Sequence, residues 1–147
     1  MLNDIFDPSR IKLDLESTTK DEVIEELIET FVAANTKLDR KMLLNAVARR
    51  ESKMNTVIMP GIAVPHGYCS AVSGIIGAIG FSRAGIEYDD REGDPVHLVF
   101  LIIMDESSRE KHLRVLGRLW ELLNSRDFAE INGMETPREL YDLLCRY

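Results

Sequence analysis

The sequence predicts an α/β fold in which a mixed sheet of four or five strands is flanked by helices. Segments with helical periodicity lie towards both ends of the chain, and strand-like apolar segments lie in the middle. This order is typical of a layered domain built around one sheet. The two central apolar segments, 75–81 and 97–104, have no helix between them, which favours a mixed sheet over a strictly alternating parallel one. A chain of 147 residues is expected to form one domain, 1–147.

The first third of the chain predicts one strand and two helices. Residues 11–17 alternate apolar and polar side chains, as a half-buried strand does. The pair Thr19 and Glu22 has capping-box spacing, so a helix is expected over about 19–34. Asp39 can cap a second helix over about 39–53. The expected buried residues recur at helical spacing: Val23, Leu27, Ile28, Phe31 and Val32 in the first helix, and Leu43, Leu44, Val47 and Met54 in the second.

The middle of the chain predicts short strands and turns. Residues 56–82 are rich in β-branched residues and glycine and contain two prolines. The segments 75–81 and 97–104 are nearly continuous apolar runs, as expected for strands covered on both faces. The polar residues 88–95 between them predict a turn.

Two helices are expected in the last third. Ser107 and Glu110 have capping-box spacing and predict a helix over about 107–124. A second box, Thr136 and Glu139, includes Pro137 at the favoured first position and predicts a helix to about Cys145. The expected buried face of the 107–124 helix consists of Leu113, Leu116, Trp120 and Leu123.

Composition narrows the function classes. The chain has 18 Lys plus Arg and 25 Asp plus Glu, a net charge of −7, and its densest basic run is Arg49-Arg50 followed by Lys53. No nucleic-acid partner is therefore expected, because such proteins normally present a basic face.

Cys69 and Cys145 show no metal-ligand spacing, so no metal or cofactor is expected. Free thiols and the absence of an apolar signal core at the N-terminus favour a cytoplasmic protein. The longest apolar stretch, 98–104, is far shorter than the ~20 residues of a membrane helix, so no membrane insertion is expected.

Candidate reactive residues come from the three histidines and one arginine. His66 follows Pro65 at the end of an apolar strand and precedes Gly67, which is expected to let the chain turn; a plain turn histidine bonded to the backbone is the alternative. His112 borders the apolar face of its helix and could instead be a core-edge histidine. Arg50 ends the second helix, where the helix dipole alone favours a cation. His97 begins a buried strand and is interpreted as structural.

Taken together, these residues carry a family resemblance. The matching segments are Arg50–Lys53, Gly61–Gly67, Asp94–Val96, Leu98–Leu101 and His112–Leu116. From about Leu13 onwards the chain resembles the type-2 enzyme IIA domains of the bacterial phosphoenolpyruvate-dependent phosphotransferase system. These form the fructose, mannitol and nitrogen-regulatory class.

The resemblance implies a phosphoryl relay. His66 would accept a phosphoryl group from the phosphohistidine of the phosphocarrier protein and pass it to a cysteine of an enzyme IIB domain. Arg50 would bind the phosphoryl oxygens and His112 would donate a further hydrogen bond, with no metal or cofactor required. Two departures leave the subclass open: Pro60 stands where some members have a carboxylate, and His97 stands at a position that is often Asp.

The candidate residues suggest three functions, of which the first two use the same chemistry at His66. The first is a phosphoryl carrier that supplies a transporter. The second is a regulatory, nitrogen-type enzyme IIA whose phosphorylation state controls a target protein. The third, a metal-dependent hydrolase, is disfavoured because the sequence has no HxH or HExxH ligand pattern.

Overall fold

The computed structural model describes residues 1–89 and 93–147. Within these residues the chain forms one mixed sheet with helices on both of its faces, as predicted. The strands are β1 (Phe6–Lys12), β2 (Val57–Met59), β3 (Ile62–Ala63), β4 (His66–Tyr68), β5 (Ile75–Ile86) and β6 (Val96–Met104). The α-helices are α1 (Lys20–Ala34), α2 (Arg40–Glu51), α3 (Arg109–Leu123) and α4 (Pro137–Leu144). Short 3-10 segments cover Leu2–Asp4, Glu106–Ser108 and Arg126–Gly133.

The sheet has the order β1-β5-β6-β3-β2, with β4 also paired to β6. Strands β3 and β4 lie in line along the same edge of β6, and both run parallel to it. The six strands therefore occupy five positions across the sheet, and the predicted number of four or five strands is too low. β1 is parallel to β5, whereas β5 and β6 are antiparallel.

Each face of the sheet has its own core. Helices α1 and α2 cover one face, and α3, α4 and the 3-10 segments Leu2–Asp4 and Arg126–Gly133 cover the other. From Leu98 to Met104, alternate residues of β6 point into the two cores, so this part of the strand is entirely apolar, as expected for a strand buried on both faces. In the part of the chain that the structure describes, no helix is both long and apolar enough to cross a membrane.

The first two predicted helices are confirmed, and so are their caps. Thr19 Oγ1 accepts the backbone N–H of Glu22, and the Asp39 carboxylate accepts those of Lys41 and Met42. Met54 was wrongly placed in the core: α2 ends at Glu51, and the Met54 side chain is 63% exposed.

The first predicted strand is misplaced. β1 covers Phe6–Lys12, so it starts before the expected segment 11–17. Its register against β5 shifts between Phe6 and Ile11, which hides the alternation from sequence analysis. Residues 16 and 17 instead donate their backbone N–H groups to the Glu26 carboxylate.

The beginning and the buried face of α3 also differ from the prediction. The Ser107 capping box does not form, because the hydroxyls of Ser107 and Ser108 donate to the Asp105 carboxylate and α3 begins at Arg109. Leu113 and Trp120 are 68% and 55% exposed. The buried face consists instead of His112, Val115, Leu119, Leu122 and Leu123.

The last predicted helix is confirmed with its full capping box and Pro137 in the first turn. The predicted polar turn 88–95 lies partly outside the described residues, since 90–92 are not among them.

Gly67 has a different role from the predicted one. It lies within β4, and the chain does not turn there. A Cβ at Gly67 would lie 2.6 Å from the carbonyl carbon and oxygen of Ala46. The backbone of α2 therefore packs directly on β4. Because Arg50 lies four residues after Ala46, on the same side of the helix, this close contact brings Arg50 towards His66.

We expect Gly67→Ala to lower the free energy of unfolding by about 1–3 kcal/mol, because backbone atoms on both sides must move apart. Gly117→Ala is a matched control, since a Cβ there meets nothing within 4 Å in the middle of exposed helix surface. The same chemical change should there stabilise the protein by about 0.5–1 kcal/mol. Urea denaturation of both variants measures the difference, and equal effects would contradict the packing role of Gly67.

Candidate functional site

His66 is the first residue of β4 and is half-buried. Its Nδ1 lies 3.0 Å from the backbone carbonyl oxygen of Val64. A carbonyl only accepts hydrogen bonds, so Nδ1 carries the proton and Nε2 keeps its lone pair. The sequence predicts a histidine at the end of a strand. The structure instead places His66 where the edge of the sheet resumes after Val64 and Pro65. The result is an imidazole with a fixed tautomer and a free nucleophilic nitrogen.

His112 is in the first turn of α3, and its ring centroid lies 4.9 Å from that of His66, with the ring planes tilted by 48°. The residue is only 6% exposed. Its Nε2 is buried and has no hydrogen-bond partner among the described residues. Buried polar atoms are seldom left without a partner. This nitrogen is therefore available to bond a group that enters the site.

Arg50 lies in the last turn of α2. Its Nη1 donates to the backbone carbonyl of Met54 at 2.9 Å, in the loop that follows the helix. The charge of Arg50 acts on both histidines. The structure thus brings together all three residues singled out from the sequence, from α2, β4 and α3.

The electrostatics of the site keep both imidazoles neutral. Burial lowers the pKa of His66 below its ordinary value of 6.5. The hydrogen bond to Val64 and the charge of Glu51 oppose this shift, and the charge of Arg50 adds to it. Burial, the neighbouring His66 and Arg50 together lower the pKa of His112 to about 4. At pH 7 the site therefore presents two neutral rings beside one permanent cation.

The pKa of His112 predicts a pH-dependent stability. Between pH 6.5 and 4, the unfolded chain binds a proton at His112 that the folded chain does not bind. The free energy of unfolding should therefore fall as the pH is lowered through this range, with a contribution approaching about 1.4 kcal/mol per pH unit. Urea denaturation from pH 7 to 4.5 measures the slope. His112→Gln should show a shallower slope, and an identical slope in both proteins would contradict the assignment.

A groove of about 800 Å³ lies beside the site. Tyr68 of β4, two residues after His66, lies in its wall, and the other walls come from α2, from the segment that follows β4 and from the segment before α3. The guanidinium of Arg109 lies 5.2 Å from the centroid of the Tyr68 ring. Among the described residues, no group of three or more His, Cys, Asp and Glu side chains is placed to hold a metal ion.

His97 lies outside this cluster. Its Nδ1 donates to the backbone carbonyl of Ser82 at 2.8 Å, across the β5–β6 pair. This bond agrees with the structural interpretation of His97.

Glu51 is a further member of the site, which the sequence did not single out. Its side chain is buried, pairs with Lys20 Nζ at 2.8 Å, and accepts a hydrogen bond from Thr56 Oγ1. The charge of Glu51 also acts on His66. The one sequence signal was its position next to Arg50, since Lys20 belongs to a different helix.

Comparison with known proteins decides the family. The family described as "Phosphoenolpyruvate-dependent sugar phosphotransferase system, EIIA 2" matches residues 4–147. The chain belongs to this family. The resemblance inferred from the sequence motifs is therefore confirmed, and so is the predicted fold class.

Individual EIIA proteins show how far the similarity extends. A fructose-specific EIIABC component of Bacillus subtilis is 36% identical over 122 residues, which are 83% of this chain and 19% of that protein. The chain thus spans about a fifth of the length of this relative.

Two solved structures share the fold. The nitrogen regulatory protein IIA-Ntr of Neisseria meningitidis superposes with a TM-score of 0.86 at 25% identity, over 97% of this chain and 98% of that one. Enzyme IIAMTL of Escherichia coli, solved in a complex with phosphorylated enzyme IIBMTL, superposes with a TM-score of 0.78 at 23% identity. That alignment covers 97% of this chain and 100% of the other.

Proposed function

We propose that this chain is a phosphoryl carrier of the phosphotransferase system and that His66 accepts the phosphoryl group. One observation carries the proposal: the His66 ring donates through Nδ1 to Val64, which leaves Nε2 free beside a neutral His112 and the cationic Arg50. A neutral imidazole nitrogen is a competent nucleophile near pH 7. The surroundings thus supply a nucleophile, a hydrogen-bond donor and a positive charge.

The first step is transfer from the phosphohistidine of the phosphocarrier protein. His66 Nε2 attacks the phosphorus, a new N–P bond forms, and the N–P bond to the carrier breaks with its electron pair returning to the carrier's imidazole. In the second step, a cysteine thiolate of an enzyme IIB domain attacks the phosphorus, and the electron pair of the broken N–P bond returns to His66. This partner is supported by the complex of the fold relative IIAMTL with phosphorylated IIBMTL.

Arg50 and His112 stabilise the transferring group. Phosphoryl transfer passes through a loose transition state whose charge is spread over three oxygens, so positioning and cationic stabilisation supply most of the catalysis. A guanidinium can bind two of these oxygens at once. The Nε2 of His112, protonated in the Nε2–H tautomer, donates to an oxygen. No metal or cofactor takes part in this scheme.

The same chemistry serves the wider assignment. Residues 1–147 act as one EIIA domain, a phosphotransferase subunit that works in the cytoplasm, where the phosphocarrier protein is found.

The likeness to IIA-Ntr favours a second candidate function, a regulator whose phosphorylation state controls a target protein. Transfer from the phosphorylated chain to an enzyme IIB domain distinguishes the two, because a regulator need not have such an acceptor.

The test is incubation with enzyme I, the phosphocarrier protein and phosphoenolpyruvate, followed by intact mass measurement. We expect a mass gain of one phosphoryl group that is lost in acid and stable in base, as for a phosphohistidine. Omitting phosphoenolpyruvate is the control. A chain that gains no phosphoryl group with an active donor would refute the proposed function.

A further inference from the structure

The loop between α2 and β2 is hydrogen-bonded both to Arg50 and to Val64, the residue that holds the His66 ring. The carbonyl of Met54 holds the guanidinium of Arg50, at 2.9 Å. Two residues later, the carbonyl of Thr56 accepts the backbone N–H of Val64, at 2.9 Å. Val64 in turn accepts the Nδ1–H of His66. Asn55 lies between these two attachment points, so its position sets the separation of the cation and the acceptor ring.

Asn55 is tied to the sheet through its own side chain. Its Oδ1 accepts the backbone N–H of Val57 at 2.8 Å. Its Nδ2 donates to the backbone carbonyls of Tyr88 and Asp89, each at 3.0 Å. These two residues follow the end of β5, more than thirty positions along the chain. The amide group thus fastens an otherwise exposed loop to the end of a central strand.

A buried polar cluster around Glu51 joins the loop to the residues that follow β5. Glu51 accepts hydrogen bonds from Thr56 Oγ1 and, at 3.5 Å, from the Tyr88 hydroxyl, and it pairs with Lys20 of α1. The end of α2, the loop and the end of β5 therefore form one bonded unit. Within it, Asn55 directly follows Met54 in the chain, and its amide makes the bonds to the residues beyond β5.

We infer that Asn55 is a positioning residue for phosphoryl transfer: it holds the Met54 carbonyl in the place that aims the Arg50 guanidinium at the phosphoryl group on His66. The inference rests on the proposed function. Phosphoryl transfer is sensitive to small displacements, since a shift of 1 Å in a positioned group can cost a factor of 10² in rate. Asn55 itself touches neither substrate nor the reacting atoms.

The first test is a double-mutant cycle on the rate of phosphoryl uptake from the phosphocarrier protein. Asn55→Ala should slow uptake by roughly 10- to 100-fold with Arg50 present and by less than about 2-fold in an Arg50→Ala background. Asn35→Ala is the matched control, because Asn35 also braces the turn after a helix, through its Oδ1 and the Lys37 N–H. It should leave the rate unchanged.

The second test is the titration of His66 by NMR. Three neighbours act on or face this ring: the charges of Arg50 and Glu51 from α2, and the neutral ring of His112 from α3. If Asn55→Ala releases the guanidinium, the pKa of His66 should rise towards its value in Arg50→Ala. Because burial also lowers the pKa of His66, a general loosening of the site would raise it too. The titration is therefore repeated in the Arg50→Ala background, where the positioning role predicts that Asn55→Ala causes no further rise.

Asn55→Ser provides a variant that retains the local turn. The serine hydroxyl can still accept the Val57 N–H but cannot reach the carbonyls beyond β5, so it should behave like Asn55→Ala in both tests. Equal slowing by Asn55→Ala in both backgrounds, or an unchanged pKa of His66, would overturn the positioning role. Failure of the wild-type chain to take up any phosphoryl group would instead refute the proposed function, so the two failures are distinguishable.

Discussion

His66→Asn is expected to abolish phosphoryl uptake while leaving the fold intact. The asparagine Nδ2 can take the place of the imidazole Nδ1 and donate to the Val64 carbonyl, the bond that fixes the ring in the native protein. It has no counterpart of the Nε2 lone pair. The variant therefore separates the nucleophile from the structural hydrogen bond, and His66→Ala, which removes both, should be equally inactive.

Intact mass after incubation with enzyme I, phosphocarrier protein and phosphoenolpyruvate measures uptake. His97→Asn is the matched control: it makes the same replacement at a histidine whose Nδ1 also donates to a backbone carbonyl, that of Ser82. It should be labelled at the native level. A His66→Asn protein that still gains a phosphoryl group would place the acceptor elsewhere, with His112 as the next candidate.

The features that the sequence predicted correctly are local ones. Thr19, Asp39 and Thr136 cap helices through bonds to residues two or three positions away, so a few letters of sequence contain the whole interaction. The uninterrupted apolar run of β6 likewise reports burial on both faces without reference to its neighbours.

The features that the sequence missed depend on distant contacts. The sequence predicts a turn at Gly67, whereas the structure shows that the backbone of α2 leaves no room for a side chain there. Leu113 and Trp120 are predicted to be buried but are exposed. They belong to a second apolar row on α3, which periodicity alone cannot distinguish from the buried row. Both errors come from contacts between elements, which a single sequence does not display.

The candidate site falls between these two cases. Taken one at a time, His66, His112 and Arg50 each had an ordinary structural explanation, and the family resemblance joined them. The structure adds their arrangement in space: the rings of His66 and His112 lie 4.9 Å apart, and the charge of Arg50 acts on both. It also adds Glu51 and Asn55, whose partners lie in other elements.

Arg50→Ala is expected to slow phosphoryl transfer to His66 by about 10²–10³-fold without changing the site of labelling. In the proposed function, the guanidinium stabilises charge that develops in the transition state, whereas the lone pair of His66 is fixed by Val64 independently of Arg50. Arg50→Lys keeps the charge but loses the bidentate geometry, so its rate should lie between those of the native protein and Arg50→Ala.

The rate of transfer from the phosphocarrier protein, measured in single turnover at saturating donor, decides the matter. Arg83→Ala, which removes one positive charge from an exposed position of β5, controls for the change in net charge and should transfer at the native rate. His112→Ala should impair uptake less than His66→Ala, because the proposed function gives His112 a hydrogen bond to the phosphoryl group and gives His66 the role of nucleophile. If Arg50→Ala transfers at the native rate, the cation beside His66 does not stabilise the transferring group. Its effect on the site would then be limited to a contribution, smaller than that of burial, to the lowered pKa values of the two histidines.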